Sequence, residues 1–139
     1  MFGRVLARYF DDPATAFIIS TDFCHWGLRF RYTHRRTEGL PANLVSPAGS
    51  VNAGIEALDR EAMALIENGD CEGFHKYLQR EGNTICGRYP LHVFMEIVRN
   101  CQTRTRTEFI HYSQSGPLPD KPTKEDSCVS YAAAVCYVV

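Results

Sequence analysis

One short stretch of the sequence concentrates side chains that can do chemistry. Residues 20–27 read Ser-Thr-Asp-Phe-Cys-His-Trp-Gly, which places a carboxylate at Asp22 and an imidazole at His25 on either side of the Cys24 thiol, followed by the indole of Trp26. An imidazole three residues after a carboxylate can act as a general base that the acid holds in place. The same spacing also suits a local hydrogen-bonded pair, and the residue types alone leave both interpretations open.

A second stretch, residues 83–90, ends in Pro90 and contains Cys86 and Arg88. Proline suits the first turn of a helix, and apolar residues follow at helical spacing, so the residues before Pro90 are predicted to form a loop that leads into a helix N-terminus. Amide dipoles and a nearby guanidinium favour the thiolate of Cys86, the form that attacks electrophiles and binds soft metals. The alternative is a buried cysteine that behaves as a small hydrophobic residue.

The element before the first stretch is predicted to be a buried strand. Residues 15–19 form an apolar run without alternation, which is typical of a strand covered on both faces in the middle of a parallel sheet. Ligand sites in open α/β sheets lie beyond the carboxyl ends of the strands. Such a strand would therefore deliver Asp22 and His25 to the usual position of a site.

The remaining elements follow from periodicity and from capping residues. Helices are predicted from the start of the chain to Asp11, over residues 51–68 before Gly69, between Asp70 and Gly82, and from about Pro90 onward. Residues 103–112 suit a strand near a sheet edge. Residues 129–139 best fit a buried strand, and a short buried helix is the alternative that periodicity leaves open. Loop residues dominate 33–50 and 116–122. The fold class is α/β, with a partial central sheet flanked by helices.

Composition narrows the class of protein. The chain has 139 residues, enough for one domain, and its net charge of -1 gives no general reason to expect nucleic acid or an acidic membrane as partner. Its six cysteines form no Cys-x-x-Cys pair, and no signal peptide or membrane-length apolar segment is present. We therefore expect reduced thiols and a cytoplasmic protein, with a nuclear location also compatible.

Four motifs together resemble the carboxyl-terminal half of the Memo family. They are STDFCHWGLRFRY at residues 20–32, IEALD at 55–59, NTICGR at 83–88 and SCVSYAA at 127–133. The resemblance implies an α/β fold similar to class III extradiol dioxygenases and a role in receptor tyrosine kinase signalling that drives cell motility. It also implies binding of phosphotyrosine peptides, and of copper or iron in a small pocket.

The resemblance assigns roles to individual residues. It makes Cys86 a metal ligand and places Asp22 and His25 in the same pocket. The family's two further histidine ligands come from amino-terminal segments of the type Pro-His-Ala-Gly and Pro-Ser-His-His, and neither occurs here. We therefore expect residues 1–139 to be a single truncated Memo-like domain that binds metal weakly or not at all.

Three classes of function follow from these expectations. In a signalling adaptor, Arg29, Arg31 or Arg88 would pair with the phosphate of a phosphotyrosine peptide, and Trp26 or Tyr32 would line its ring. The alternatives are a copper- or iron-binding redox protein and a fragment without activity of its own. Enzymatic catalysis is disfavoured, because a dioxygenase of this class needs iron held by two histidines and a carboxylate.

Overall fold

The computed structural model describes residues 2–46 and 50–139. In these ranges the chain forms the helices α1 (Phe2–Phe10), α2 (Val51–Glu67), α3 (Cys71–Glu81) and α4 (Arg88–Asn100), and the strands β1 (His25–Trp26), β2 (Thr105–Gln114) and β3 (Cys128–Val138). The three strands form one antiparallel sheet in the order β1-β3-β2. The predicted mixed α/β class is confirmed. Within the described residues, no helix has the length and apolar character needed to cross a bilayer.

Local capping signals explain why the helices were predictable. The Ser50 side chain accepts a hydrogen bond from the Ala53 N–H, and the Asp70 side chain accepts one from the Gly73 N–H, so α2 and α3 begin where the sequence indicated. Gly82 ends α3 in the left-handed conformation with φ 62°. The loop predicted at residues 33–50 has no helix or strand over 33–46, and residues 47–49 lie outside the described part of the chain.

The predicted strand at residues 15–19 is not formed. The segment has no regular structure, and Ile18 is 91% exposed, while Phe17 and Ile19 are half-buried. Strands covered on both faces are typical of parallel sheets, whereas the sheet of the described residues is antiparallel and does not include this segment. The prediction of a parallel sheet was therefore also wrong.

Two other apolar surfaces, on β3 and on α1, are open. The carboxyl-terminal strand forms as β3, but Tyr131, Val135 and Val138 on it are exposed rather than buried. On α1 the buried residues are Gly3 and Ala7, while the larger apolar side chains, Phe2 (74% exposed), Val5 and Tyr9, are exposed. The close approach of α1 to α4 explains why small residues form the buried face of α1, because a side chain at Gly3 would overlap Glu96.

The core consists of two apolar clusters, and α2 contributes to both. One cluster contains Phe23, Phe74, Tyr77, Ile85 and Met95, and the other contains Cys24, Trp26, Tyr32, Ile55 and Leu58, among further residues. Two acidic side chains of α2, Glu56 and Asp59, are fully buried. Each is paired inside the protein, Glu56 with Arg60 at 3.0 Å and Asp59 with the groups described below.

Candidate functional site

Hydrogen bonds join the two chemically interesting stretches side by side. The N–H of Cys86 donates to the carbonyl of Asp22 at 3.3 Å, and the N–H of Gly87 donates to the Thr21 hydroxyl at 2.9 Å. Nearby, the Thr84 hydroxyl accepts from the N–H of His25 at 2.7 Å and donates to the carbonyl of His25 at 2.9 Å. The loop before α4 and the loop around β1 therefore form one corner of the molecule.

The thiol of Cys86 lies at the surface of this corner. Its Sγ atom accepts a hydrogen bond from the backbone N–H of Asp22 at 3.1 Å and lies 3.8 Å from the Thr21 hydroxyl. The side chain is exposed, so the interpretation of Cys86 as a buried hydrophobic residue is wrong. An accessible sulfur with a backbone donor, just before the N-terminus of α4, is arranged to react or to accept further hydrogen bonds.

The imidazole of His25 is held by the backbone and by Phe30, not by Asp22. Its Nδ1 lies 3.0 Å from the carbonyl of Phe23, and because a carbonyl only accepts, Nδ1 carries the hydrogen and leaves Nε2 as the acceptor in the neutral ring. Nε2 lies 4.0 Å from Oδ2 of Asp22, too far for a hydrogen bond. The ring of Phe30 meets the imidazole edge-on at 5.1 Å. Asp22 thus lies near both Cys86 and His25 without orienting the imidazole.

Two arginines, Arg29 and Arg88, follow closely in sequence on the two loops that form this corner. The guanidinium of Arg29 lies over the ring of Phe30 at 4.9 Å, and that of Arg88 lies over the exposed ring of Tyr89 at 4.8 Å. Across the described residues, no carboxylate pairs with Arg29, Arg31 or Arg88. Within the described residues, the guanidinium of Arg88 donates one hydrogen bond, from Nη1 to the carbonyl of Ile85 at 3.2 Å. These cations therefore remain available to an anionic group.

The two aromatic residues predicted to line a ligand ring are in the core. Trp26 is 4% exposed, and Tyr32 is buried with its hydroxyl donating to the carbonyl of Glu81 at 2.9 Å. Burial raises the pKa of Tyr32 above its ordinary value. Neither side chain presents its ring to the surface, and the aromatic rings exposed beside the corner are those of Tyr89 and, in part, Phe30.

The sequence reasoning missed a buried polar cluster behind the corner. Asp59 accepts hydrogen bonds from the Tyr112 hydroxyl at 2.8 Å, from Nδ2 of Asn83 at 3.0 Å and from the N–H of Cys24 at 3.3 Å. Burial raises the pKa of Asp59 from its ordinary value to about 6. The hydrogen bonds that the carboxylate accepts, Ser130 among the partners, act in the opposite direction and make this rise smaller. Asp59 follows Ile55 by four residues and therefore lies on the apolar side of α2. A carboxylate in that register was the signal that could have revealed it.

The described residues offer an incomplete set of ligands for the copper or iron that the family resemblance implies. Cys86 and His25 offer a thiolate and an imidazole, but no three His, Cys, Asp or Glu side chains converge on one point within residues 2–46 and 50–139. Copper and iron sites in proteins need further donors and an outer shell that orients them. The residues present do not fit such a metal by themselves.

Comparison with known proteins places these features in a family. The family model described as Memo-like protein matches residues 1–135. The chain is 38% identical to Protein MEMO1 of Xenopus laevis and 36% identical to Protein MEMO1 of Homo sapiens, in each case over 99% of this chain and 43% of the relative. It is 32% identical to Protein memo-1 homolog of Caenorhabditis elegans, over 99% of this chain and 37% of that protein.

The chain thus spans less than half the length of these curated relatives, and 99% of the chain itself aligns with each of them. The corner formed by Asp22, His25 and Cys86 falls inside the matched region. The match to the family model over nearly the whole chain shows that this protein belongs to the Memo family.

Proposed function

We propose that this chain is a MEMO1-like, non-enzymatic signalling adaptor that binds phosphotyrosine peptides of receptor tyrosine kinases at the corner containing Cys86. The observation that carries the proposal is the pair of arginines beside that corner. Arg29 and Arg88 have no carboxylate partner among the residues described, whereas Arg36 and Arg80 both pair with Glu61 and Glu81. An unpaired guanidinium can donate two parallel hydrogen bonds to a phosphate.

The local electrostatics support an anion at this position. Helix α4 begins at Arg88, has no acidic residue in its first turn and has no side chain capping its N-terminus. The positive end of the helix therefore adds to the charge of the guanidinium. Asp22 is the opposing charge in the corner, and its carboxylate is turned toward His25.

A phosphotyrosine side chain also needs a surface for its ring. Tyr89 is 69% exposed, and its ring already stacks with the guanidinium of Arg88. A ligand ring against Tyr89 would extend that stack while its phosphate meets the arginine. Because Trp26 and Tyr32 are buried, they have no part in this binding mode.

Calorimetric titration tests the proposal with matched ligands. A tyrosine-centred peptide from a receptor tyrosine kinase is titrated in phosphorylated and unphosphorylated form, together with N-acetyl phosphotyrosine amide. Charge-assisted hydrogen bonds contribute about 1.5–3 kcal/mol, so the phosphorylated peptide is expected to bind at least tenfold more tightly. Equal affinity for the two forms would remove the proposal.

An arginine variant with a control on the same helix locates the effect. Arg88→Gln removes the charge beside the corner and is expected to abolish the preference for the phosphorylated peptide. Arg99→Gln removes a charge near the other end of α4, where Arg99 pairs with Glu96 at 3.6 Å, and is expected to preserve the preference. A similar loss in both variants would indicate non-specific attraction of an anion.

A further inference from the structure

Helices α3 and α4 carry four side chains of metal-ligating types at matching positions. Cys71 and His75 are one helical turn apart on α3, and His92 and Glu96 are one turn apart on α4. Side chains separated by four residues lie on the same face of a helix. Each helix therefore presents a pair of possible metal donors on a single face.

These two faces meet in the groove between α3 and α4. The ring centroids of His75 and His92 lie 6.0 Å apart, and the His92 ring also packs against Phe74 at 5.0 Å. One turn away, burial is the main cause that raises the pKa of the Cys71 thiol to about 11, and the nearby Glu96 carboxylate adds to the rise. The groove is therefore crossed by two side-chain pairs, His75 with His92 and Cys71 with Glu96.

The separation of the two imidazoles suits one zinc ion between them. Zinc binds histidine nitrogen at about 2.0–2.1 Å with near-tetrahedral angles, so the centroids of two ligating imidazoles lie roughly 5–6 Å apart. The separation of His75 and His92, 6.0 Å, is at the upper end of this range. His75 is exposed and His92 is half-buried, so a metal ion can reach the pair from solvent.

Cys71 and Glu96 are placed to complete the coordination. Among the described residues no three such donors meet at one point, so these two ligands reach the metal by rotation of their side chains. Both residues are half-buried, and Glu96 pairs with Arg99 at 3.6 Å on the exposed side of α4. An exposed ion pair contributes at most about 1 kcal/mol, which is small beside the free energy of zinc coordination.

We propose that Cys71, His75, His92 and Glu96 form a zinc site that holds α3 against α4. A thiolate, two imidazoles and a carboxylate are ligands that zinc accepts in tetrahedral sites. The bound ion fixes the two helices on either side of the loop that carries Cys86. The proposal concerns a different place from the phosphotyrosine corner and depends neither on that function nor on a metal at Cys86.

Metal titration of the full chain tests the proposal. The purified chain is treated with EDTA, exchanged into buffer without chelator, and titrated with Zn²⁺ in competition with a chromogenic zinc indicator. Saturable binding is expected with a Kd below about 10 µM. Absence of saturable binding up to about 100 µM Zn²⁺ would overturn the proposal.

Histidine variants locate the bound zinc ion. His75→Ala and His92→Ala are each expected to weaken zinc binding by about tenfold or more, whereas His111→Ala, which removes an exposed histidine of β2, is expected to leave it unchanged. His75 is itself exposed, so its variant is expected to fold, and a thermal unfolding scan of each variant verifies folding. Binding that survives both His75→Ala and His92→Ala would contradict the assignment. Binding that is lost in Cys86→Ser and retained in His75→Ala would overturn it in favour of the corner.

Cobalt substitution tests the sulfur ligand. Co²⁺ in a tetrahedral site with a thiolate gives visible d–d absorption and a sulfur-to-metal charge-transfer band in the near ultraviolet. Both are expected for the native chain. Cys71→Ser should remove the charge-transfer band, and the control Cys101→Ser, at the end of α4, should retain it. Bound Co²⁺ without this band, or a band that persists in Cys71→Ser, would overturn the four-residue site.

Discussion

The Sγ atom of Cys86 lies 3.1 Å from the backbone nitrogen of Asp22, although 64 residues separate them in sequence. This contact joins the loop before α4 to the loop around β1. It brings an exposed thiol, a carboxylate and an imidazole to one surface. Arg29 and Arg88 follow these two loops in sequence and lack carboxylate partners in the described residues. The corner is the feature on which the proposed function rests.

Thiol reactivity is expected to differ strongly among the cysteines. Cys86 is exposed, whereas Cys24 is fully buried and burial raises the pKa of its thiol. Burial, with Glu96 nearby, raises the pKa of Cys71 to about 11. At pH 8, iodoacetamide should therefore modify Cys86 first, as followed by peptide mass spectrometry. Modification of all six cysteines in urea is the control, and earlier labelling of Cys24 in the folded chain would contradict the described burial.

Gly87 is expected to be intolerant of a side chain. A Cβ atom at this position would overlap the side chain of Thr21, whose hydroxyl accepts the Gly87 N–H. Gly87→Ala should therefore lower the free energy of unfolding by about 1–3 kcal/mol, the usual range for overpacking. Gly116→Ala is the control, because no atom lies within 4 Å of a Cβ built there, and its effect should stay within about 0.5 kcal/mol. Urea unfolding measures both, and similar losses would show that the Thr21 contact is unimportant.

Removal of the Asp59 carboxylate is expected to destabilise the fold. Asp59→Ala leaves the Cys24 N–H without an acceptor in the protein interior, and it leaves the Tyr112 hydroxyl and the Asn83 amide with Ser130 and Tyr77 as their remaining acceptors. Unsatisfied buried groups cost about 1–3 kcal/mol each, so a loss on the order of 3 kcal/mol in the free energy of unfolding is expected. Ser113→Ala, on β2 next to Tyr112, is the control and should have little effect. A loss below about 1 kcal/mol for Asp59→Ala would contradict the described network.

The same carboxylate should give a defined pH dependence. Its pKa in the folded chain is raised from 3.8 to about 6, so between these values the folded state holds a proton that the unfolded state has released. The stabilisation is complete below about pH 4 and is lost as pH rises through 6. The stability of the native chain relative to Asp59→Asn should therefore fall between pH 4 and pH 7. A relative stability that rises over this interval would show the opposite pKa shift.

Features encoded within a few residues were predictable from the sequence. Ser50, Asp70 and Gly82 mark helix ends by their own side-chain and backbone preferences, so α2 and α3 appear where they were expected. The exposure of residues 15–19 was not predictable, because an apolar run is buried only if other strands are there to cover it. The inward face of α1 is formed by Gly3 and Ala7, because small size rather than hydrophobicity decides its packing against α4, and helical periodicity does not reveal such a close approach.

The candidate site was likewise predictable only in part. The resemblance grouped Asp22, His25 and Cys86, and contacts among their loops bring Asp22 close to the other two. The burial of Trp26 and Tyr32 depends on packing against residues distant in sequence, which their residue types do not reveal. The hydrogen bond between His25 and the Phe23 carbonyl depends on the rotamer of the His25 side chain, which the sequence does not reveal.

A chemical-shift map tests the central claim most directly. Free O-phosphotyrosine is titrated into the ¹⁵N-labelled chain, and amide shifts are followed residue by residue, with tyrosine as the matched ligand. The account predicts concentration-dependent shifts at Asp22, Cys86 and Arg88 that tyrosine does not cause and that Arg88→Gln removes. Shifts confined to the β2–β3 hairpin, or equal shifts with tyrosine, would contradict it.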